Sequence, residues 1–487
     1  MAPSKLETID FTTFNNIVAG SPRSSKQKYH GIDPTTKQPN WDVPVATPED
    51  IEDAVAAANK AFAEWKTTTW EYRTERIARF KDAIEAYQEE MIELLLKETG
   101  KPRQFGAAEV KGVSQFIQWH VDMKEPKGET YDLEDRTIVN KFVPLGVAAA
   151  ICPWNFPLLL SLGKVLPAVQ MGNAIIVKPS PFTPYTALKM VEIANQVFPP
   201  GLVQALGGDD KLGPALVDHP DIHKISFTGS IATGKKVMAA AAKTVKRVTL
   251  EMGGNDPSIV LPDADIAKTA PLVAMGAFYN TSQVCIASKR IYVHSSIYDA
   301  FLEALVNVAK SLKVGPSNDE GVMLGPIQNS MQYEKVKTFF KDTKEQGYKF
   351  ALGSGDVPET NGFFINPTIV DNPPDDSLIV QEEPFGPIVP VQKYDDIDEV
   401  IRRANNSRAG LGATVFGKDA QKLQEVADKL ETGSVWINSY PAAGPQAQFG
   451  GVKESGIGTE FGTLGILAYA NVKAITTMKE GAVLARG

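Results

Sequence analysis

Apolar positions recur at two different spacings along this chain, and the change from one to the other divides it. From Thr47 the spacing is helical, with Ile51, Val55, Ala58, Phe62 and Trp65 on one face. Thr47-Pro48-Glu49-Asp50 predicts the start of that helix: a capping threonine, proline in the first turn, and acids against the positive end of the helix. A second stripe, Ile77, Phe80, Ile84, Tyr87, Met91, Leu94 and Leu95, predicts one long helix stopped by Gly100-Lys101-Pro102. A further helix is expected over 107–123, and the polar, turn-rich stretch before residue 43 as a strand or two on the surface.

From Gly146 the pattern changes. Short runs rich in Val, Ile and Leu at 147–151, 174–177, 203–206, 224–227 and 245–250 alternate with helical stretches at 158–170, 185–197, 211–217 and 233–243. Such alternation implies crossover units and a parallel sheet covered on both faces. A second α/β block is expected over 257–436. It contains helices at 263–279 (kinked at Pro271), 297–312, 332–346, 397–405 and 421–430, and strands at 290–294, 413–416 and 434–437. The segment 130–143 alternates like a hairpin, and the tail beyond Tyr469 is short enough for one added strand. No repeat or low-complexity segment interrupts this order.

Composition narrows the function classes. A net charge of −8 argues against a nucleic-acid or anionic-membrane surface. The most apolar zone, 142–169, is broken by Pro144, Pro153, Pro157 and Pro167, which predicts no membrane span. Two cysteines cannot build a disulfide framework, and five scattered histidines offer no metal-ligand spacing. The start, Met-Ala-Pro-Ser-Lys-Leu, carries no apolar signal core, and Ala485-Arg486-Gly487 no address. The expectation is a cytoplasmic protein of about three domains without a metal centre.

In an open parallel sheet the ligand crevice lies at the carboxyl ends of the strands. Those ends carry unusual residues here: Asn155 after the first, Lys178 on the second, Thr228-Gly229-Ser230 after the fourth and Glu251 on the fifth. The run Thr228 to Gly234 joins a strand to a helix, where exposed backbone N–H groups can meet a phosphate, although a plain connection reads equally well. Lys178 reads as a ribose or phosphate contact or as a solvated lysine, and Glu251 as a general base or a surface acid. Cys285 sits in the short polar run Asn280 to Ala287 between a helix and a strand. It reads either as an activated thiolate nucleophile or as a small buried residue.

Seven stretches in order resemble the aldehyde dehydrogenase superfamily. They are Pro153-Trp154-Asn155-Phe156-Pro157, Lys178-Pro179-Ser180, Phe227-Thr228-Gly229-Ser230 with Gly234, and Leu250-Glu251-Met252-Gly253-Gly254. Gln283-Val284-Cys285, Glu382-Glu383-Pro384-Phe385-Gly386-Pro387 and Phe449-Gly450-Gly451-Val452-Lys453-Glu454-Ser455-Gly456 complete the set. The match runs from about Asp42 to the end of the chain. The resemblance implies a Rossmann-like parallel-sheet NAD(P)-binding domain (1–123 and 145–255), a second α/β catalytic domain (256–454) and a small extended oligomerisation arm (124–144 and 470–487).

The resemblance also implies roles. Cys285 would attack an aldehyde carbonyl, Asn155 and the Cys285 backbone N–H would hold the oxyanion, and Glu251 would activate the water that hydrolyses the thioester. Lys178 would bind the adenine-side ribose and Ser230 the pyrophosphate, with Ser180, Gly229 and Gly234 beside them. Glu383 would bind the nicotinamide-side ribose, while Trp154 and Phe385 pack the cofactor. Cys152 has no matching role and is expected in the core. Partners implied are a small-molecule aldehyde and further copies of the chain, as a homodimer or homotetramer.

Two departures from the family pattern stand out. NAD-preferring members usually carry glutamate three positions after the lysine, where it repels a 2′-phosphate. Pro181 stands there, so NAD and NADP both remain open as cofactors. Around the expected pocket, formed by Phe156, Gly163, Val284, Ala443 and Phe449, Gly163 and Ala443 replace bulkier groups and suggest a roomier tunnel for a branched or aromatic aldehyde. Competing readings are a coenzyme A-acylating relative, which generally lacks the glutamate found at Glu251, a catalytically silent relative that keeps the fold, and a cofactor-free cysteine hydrolase.

Overall fold

The computed structural model describes residues 7–480. The chain's start and the last part of the expected arm, 481–487, lie outside the described residues.

The expected alternation folds as two sheets. Five parallel strands, Val203–Ala205, Ala174–Lys178, Val147–Ile151, Lys224–Thr228 and Arg247–Glu251, lie in that spatial order. Numbered along the chain the order is 3-2-1-4-5, so it reverses direction between Val147–Ile151 and Lys224–Thr228. At such a reversal the crossover helices leave on opposite faces and open a crevice beyond the strand ends. Helices Pro157–Gln170 and Tyr185–Ala194 are buried nearly all round, because they are packed between this sheet and the helices Trp70–Ala86 to Arg103–Asp122, while Pro48–Trp65 packs on the strands directly.

The second sheet is also mainly parallel. It orders Lys349–Leu352, Thr368–Asp371, Ile388–Tyr394, Arg290–His294, Pro257–Val260, Gly412–Phe416 and Ser434–Ile437, with the first strand antiparallel. It has its own buried clusters, around Phe301 and Phe278 on one side and Ile259 and Tyr394 on the other. The expected hairpin forms as Thr130–Asp132 with Arg136–Pro144, and the tail strand Ala470–Met478 pairs antiparallel along the whole of Arg136–Pro144.

Two expectations change, and one pairing was not foreseen. The 77–95 stripe is two helices, Trp70–Ala86 and Gln88–Thr99, because Tyr87 leaves the helical region (φ −115°, ψ 25°) while the apolar stripe continues across the break. The second helix ends, as predicted, on Gly100 in the left-handed region (φ 71°), where a Cβ would strike Pro326 and Pro34. Asn16–Val18 is not a surface strand: it is wholly buried and extends the first sheet beside Val203–Ala205. Three residues are too few to show alternation, so the polar neighbours hid it. Lastly, Gly456–Ile457 pairs with Leu250 and Glu251, which returns the glycine-rich stretch after Phe449 to the edge of the first sheet.

Candidate active site

The nucleophile candidate sits on a strained loop. The helix Ile266–Phe278, with Pro271 inside it, gives way to a turn in which Asn280, Thr281 and Ser282 all have positive φ (51°, 57° and 61°). Each non-glycine residue held there costs about 1–3 kcal/mol, so the surroundings must hold the turn. They do so through buried hydrogen bonds. Thr281 Oγ1 donates to the Gly325 carbonyl (2.9 Å), Ser282 Oγ to Ala277 (2.6 Å), and Gln283 Nε2 to Asn280 (3.1 Å) and Pro326 (3.2 Å). The Gln328 N–H closes the set on Gln283 Oε1 at 2.8 Å. Cys285 is thereby presented at the end of the turn, half-buried, and its backbone N–H has no acceptor among the described residues.

A cavity of about 370 Å³ opens in front of it. Asn155, Phe156, Glu251, Val284, Cys285, Ala443 and Phe449 all line it, so the structure brings the catalytic candidates and most of the expected pocket to one space. The remaining wall is chiefly apolar, with Tyr279, Met275 and Phe461 prominent. Gly163 is the exception. It does not line the cavity; a Cβ there would lie 2.7 Å from the Phe461 ring. The glycine therefore makes room for a lining residue and is not itself part of the wall. Phe156, Tyr279 and Ala443 also face a broader outer depression of about 700 Å³, which forms the mouth.

Asn155 is buried, and its Nδ2 donates to the Gln283 carbonyl at 3.0 Å. One of its two amide hydrogens is so used, which fixes the side chain and leaves the other for a substrate oxygen. Glu251, the last residue of its strand, is 2% exposed and neither carboxylate oxygen has a well-formed hydrogen bond. Burial, reinforced by the negative charge of Glu460, holds its carboxyl well above the usual carboxylate range, while Lys164 and the Gly451 N–H pull the other way. Both bland alternatives for Glu251 and Lys178, a solvated surface position, are excluded by their burial.

Cys285 is crowded by protein although the cavity reaches it, and burial pushes its thiol up to about 12. Lys289 lowers it; Asp256, Glu383 and Glu251 raise it.

The dinucleotide candidates lie along the strand ends and on the second block. Lys178 is 7% exposed and among the described residues its ammonium reaches only the Pro179 carbonyl (3.3 Å); burial pushes it down. Ser180 is buried nearby and accepts from the Phe182 N–H at 3.3 Å. Ser230 caps the helix Ile231–Ala241, accepting from the Thr233 N–H at 3.3 Å. Gly229 donates to the Glu251 carbonyl (3.0 Å), and Gly234 lies where any Cβ would strike Met252 Sδ. Trp154 and Phe385 meet edge to face at 5.4 Å, Phe385 with a positive φ of 52°. Gly253 makes a similar allowance for Glu383, whose Oε2 would lie 2.3 Å from a Cβ. A buried ammonium with only a carbonyl partner, a helix N-terminus and a carboxylate against a glycine fit a dinucleotide with two ribose diols and a pyrophosphate.

The structure adds charged residues that the motifs did not contain. Lys164, fully buried, forms an ion pair with Glu460 and donates to Thr228 Oγ1 at 2.7 Å; Ser226 Oγ donates to Glu460 at 2.9 Å. A lysine inside the otherwise apolar helix Pro157–Gln170 was the signal available in the sequence. Lys289, four residues past the thiol, reaches both the Cys285 carbonyl and Glu383.

Fold and site together set a free thiol in a cavity beside the strand ends of an open parallel sheet. The aldehyde dehydrogenase family profile matches residues 21–475. The chain is 42% identical over 473 residues to the aldehyde dehydrogenase LUC3 of a Fusarium species, covering 97% of this chain and all of that one. It is 36% identical to the chloroplastic betaine aldehyde dehydrogenase of Amaranthus hypochondriacus, covering 91% and 92%. Among solved structures, a Staphylococcus aureus betaine aldehyde dehydrogenase in complex with NAD+ superposes with a TM-score of 0.92 at 34% identity, covering 95% and 94%. An NAD+ complex of a Bacillus cereus aldehyde dehydrogenase does so with a TM-score of 0.92 at 34% identity, covering 96% of each chain. The chain belongs to the aldehyde dehydrogenase family, and it is an enzyme of that class.

Proposed function

We propose that this protein oxidises an apolar aldehyde to the carboxylic acid with NAD+ or NADP+, using Cys285 as the nucleophile. The cavity carries the reading: Cys285, Glu251 and Asn155 face one space whose other walls are mainly hydrocarbon. The first sheet, with the helices before it, is the cofactor layer, and the second block carries the thiol. A dinucleotide bound between them supplies the hydride acceptor.

The chain's own groups do the rest. The Cys285 thiol passes its proton to the Glu251 carboxylate and on to solvent as its sulfur adds to the carbonyl carbon, and the oxygen that becomes anionic is met by the free Asn155 amide hydrogen and the Cys285 N–H. Collapse of this thiohemiacetal releases hydride and leaves a thioester on Cys285. Glu251, buried and short of hydrogen bonds, has the raised basicity needed to take a proton from water near neutral pH. The hydroxide formed in this way displaces the thiolate and yields the acid. The presence of Glu251 favours water over coenzyme A as the acyl acceptor.

Lys178, Ser180 and Ser230, with Gly229 and Gly234, would hold the adenosine and pyrophosphate side; Glu383, Trp154 and Phe385 would hold the nicotinamide side. Pro181 offers a 2′-phosphate no repelling charge, which supports use of NADP+ beside NAD+. The Ala470–Met478 strand leaves apolar side chains exposed on both faces, Val472 and Met478 on one and Ile475 on the other, which supports assembly into a homodimer or homotetramer through this arm. Two unpaired thiols fit a reducing, cytoplasmic setting; no helix among the described residues is long and apolar enough to cross a membrane.

The test is a panel of aliphatic, branched and aromatic aldehydes with each cofactor, following reduced nicotinamide. Wild type turns over, Cys285→Ala shows nothing, and Glu251→Gln gives one equivalent of reduced cofactor and then stalls. Sustained turnover by the Glu251 variant would refute the hydrolytic role.

A further inference from the structure

Lys289 lies in the strand-leading segment after the thiol, 3% exposed, with its ammonium 5.9 Å from the centre of the Phe385 ring. Its ammonium is 2.5 Å from the Cys285 carbonyl oxygen and 2.9 Å from Glu383 Oε1. Both partners belong to the proposed reaction, one on the nucleophile loop and one on the segment expected to meet the nicotinamide-side ribose. Glu383 Oε1 has no directed hydrogen bond among the described residues, so the ion pair to Lys289 is what holds it, and Oε2 is turned toward Gly253. A buried cation chelated between a carbonyl and a carboxylate is costly to desolvate, so both partners are held where it needs them.

We infer that Lys289 is a positioning residue that joins the nucleophile loop to Glu383, fixing the ribose-binding carboxylate and the thiol in one frame. The inference rests on the proposed roles of Cys285 and Glu383 and assigns the residue that couples them. The charges around the thiol are Lys289 on one side and Asp256, Glu383 and Glu251 on the others. Arg290 is directed away, to the Asn255, Arg403 and Ala404 carbonyls. Lys289 is thus the cation that acts on the thiol among the described residues. Asp256 also draws on it, its carboxyl pushed up to about 7 chiefly by burial and pulled down by Lys289.

Three variants of the full chain test this: Lys289→Met, Lys289→Gln and Lys289→Arg, each alone and with Glu383→Gln. Two readouts need no turnover. The first is affinity for NADH and NADPH by fluorescence titration; the second is the pH profile of Cys285 alkylation by iodoacetamide without dinucleotide. Losing a charge-assisted bond to Glu383 is expected to weaken dinucleotide binding about tenfold in the methionine variant. The alkylation profile moves about one pH unit upward, and arginine restores both. In the Glu383→Gln background the affinity loss disappears, because the link is already cut. Lys289→Gln, which keeps a donor to the Cys285 carbonyl, replaces the methionine variant if that one does not fold. An affinity loss that persists unchanged with Glu383→Gln, or an unmoved alkylation profile, overturns the inference. A wild type that fails to oxidise any aldehyde, while its Lys289 variants show both shifts, would refute the proposed reaction and leave the linkage standing.

Discussion

Asn155 Nδ2 donates to the backbone carbonyl of Gln283 at 3.0 Å, which joins the turn after the first strand of one sheet to the nucleophile loop ahead of the other. The contact fixes an amide that lines the cavity and leaves its second hydrogen free for the oxyanion of the proposed reaction.

Asn155→Ala removes that donor and the tie together. Turnover of an aldehyde is expected to fall by about 10² to 10³, the usual cost of one oxyanion donor. Steady-state kinetics on the folded variant checks it, with dinucleotide affinity unchanged as the control. A loss below threefold would remove Asn155 from the oxyanion site.

Glu460 raises Glu251 through its negative charge and shares Lys164 with it. In Glu460→Gln that charge is gone, so Glu251 ionises at lower pH. The acid limb of the kcat profile, which needs Glu251 ionised as base, is expected to move to lower pH. An unmoved limb would show that deacylation does not limit turnover there or that Glu251 is not its base.

Gly163 sits 2.7 Å, at its would-be Cβ, from the Phe461 ring. Gly163→Ala is expected to push Phe461 toward the cavity, with a stability loss of about 1–3 kcal/mol from overpacking. The kinetic signature is a larger rise in KM for a bulky aromatic aldehyde than for a short straight-chain one. Equal changes for both would place the strain outside the pocket.

His120 is buried against Gln170, and burial pushes its imidazole down from 6.5 to about 4. A group whose folded value is lowered binds fewer protons folded than unfolded between those limits. Stability is therefore lost as pH falls from about 6.5 to about 4, by about 3 kcal/mol at most for this one group. Urea denaturation of wild type and His120→Leu across that range should show a flatter dependence in the variant.

Much of this was legible in one dimension. Helix caps and stops at Thr47 and Gly100 are local, set by side chains a few residues apart, so they could be read directly. The parallel sheet followed from the alternation of apolar runs and helices, and the motif residues at the strand ends follow from that topology. What escaped was set by partners distant in sequence. The break at Tyr87 is invisible because the apolar stripe continues through it. The burial of Asn16–Val18 depends on a sheet edge formed almost two hundred residues later.

The amino-acid order alone determined the α/β class and the succession of two α/β blocks, and its motifs nominated the thiol, the amide and the acid as candidates, because these depend on local pattern and motif chemistry. Only the tertiary structure decided what charges surround them. Lys164 meets Glu460 across 296 positions, and Lys289 meets Glu383 across the gap between two segments of one block. Electrostatic neighbours act through space at a few ångströms, where chain separation carries no information. Gly163 shows the same limit: its smallness was plain from the sequence, but the ring that fills the space, Phe461, was not.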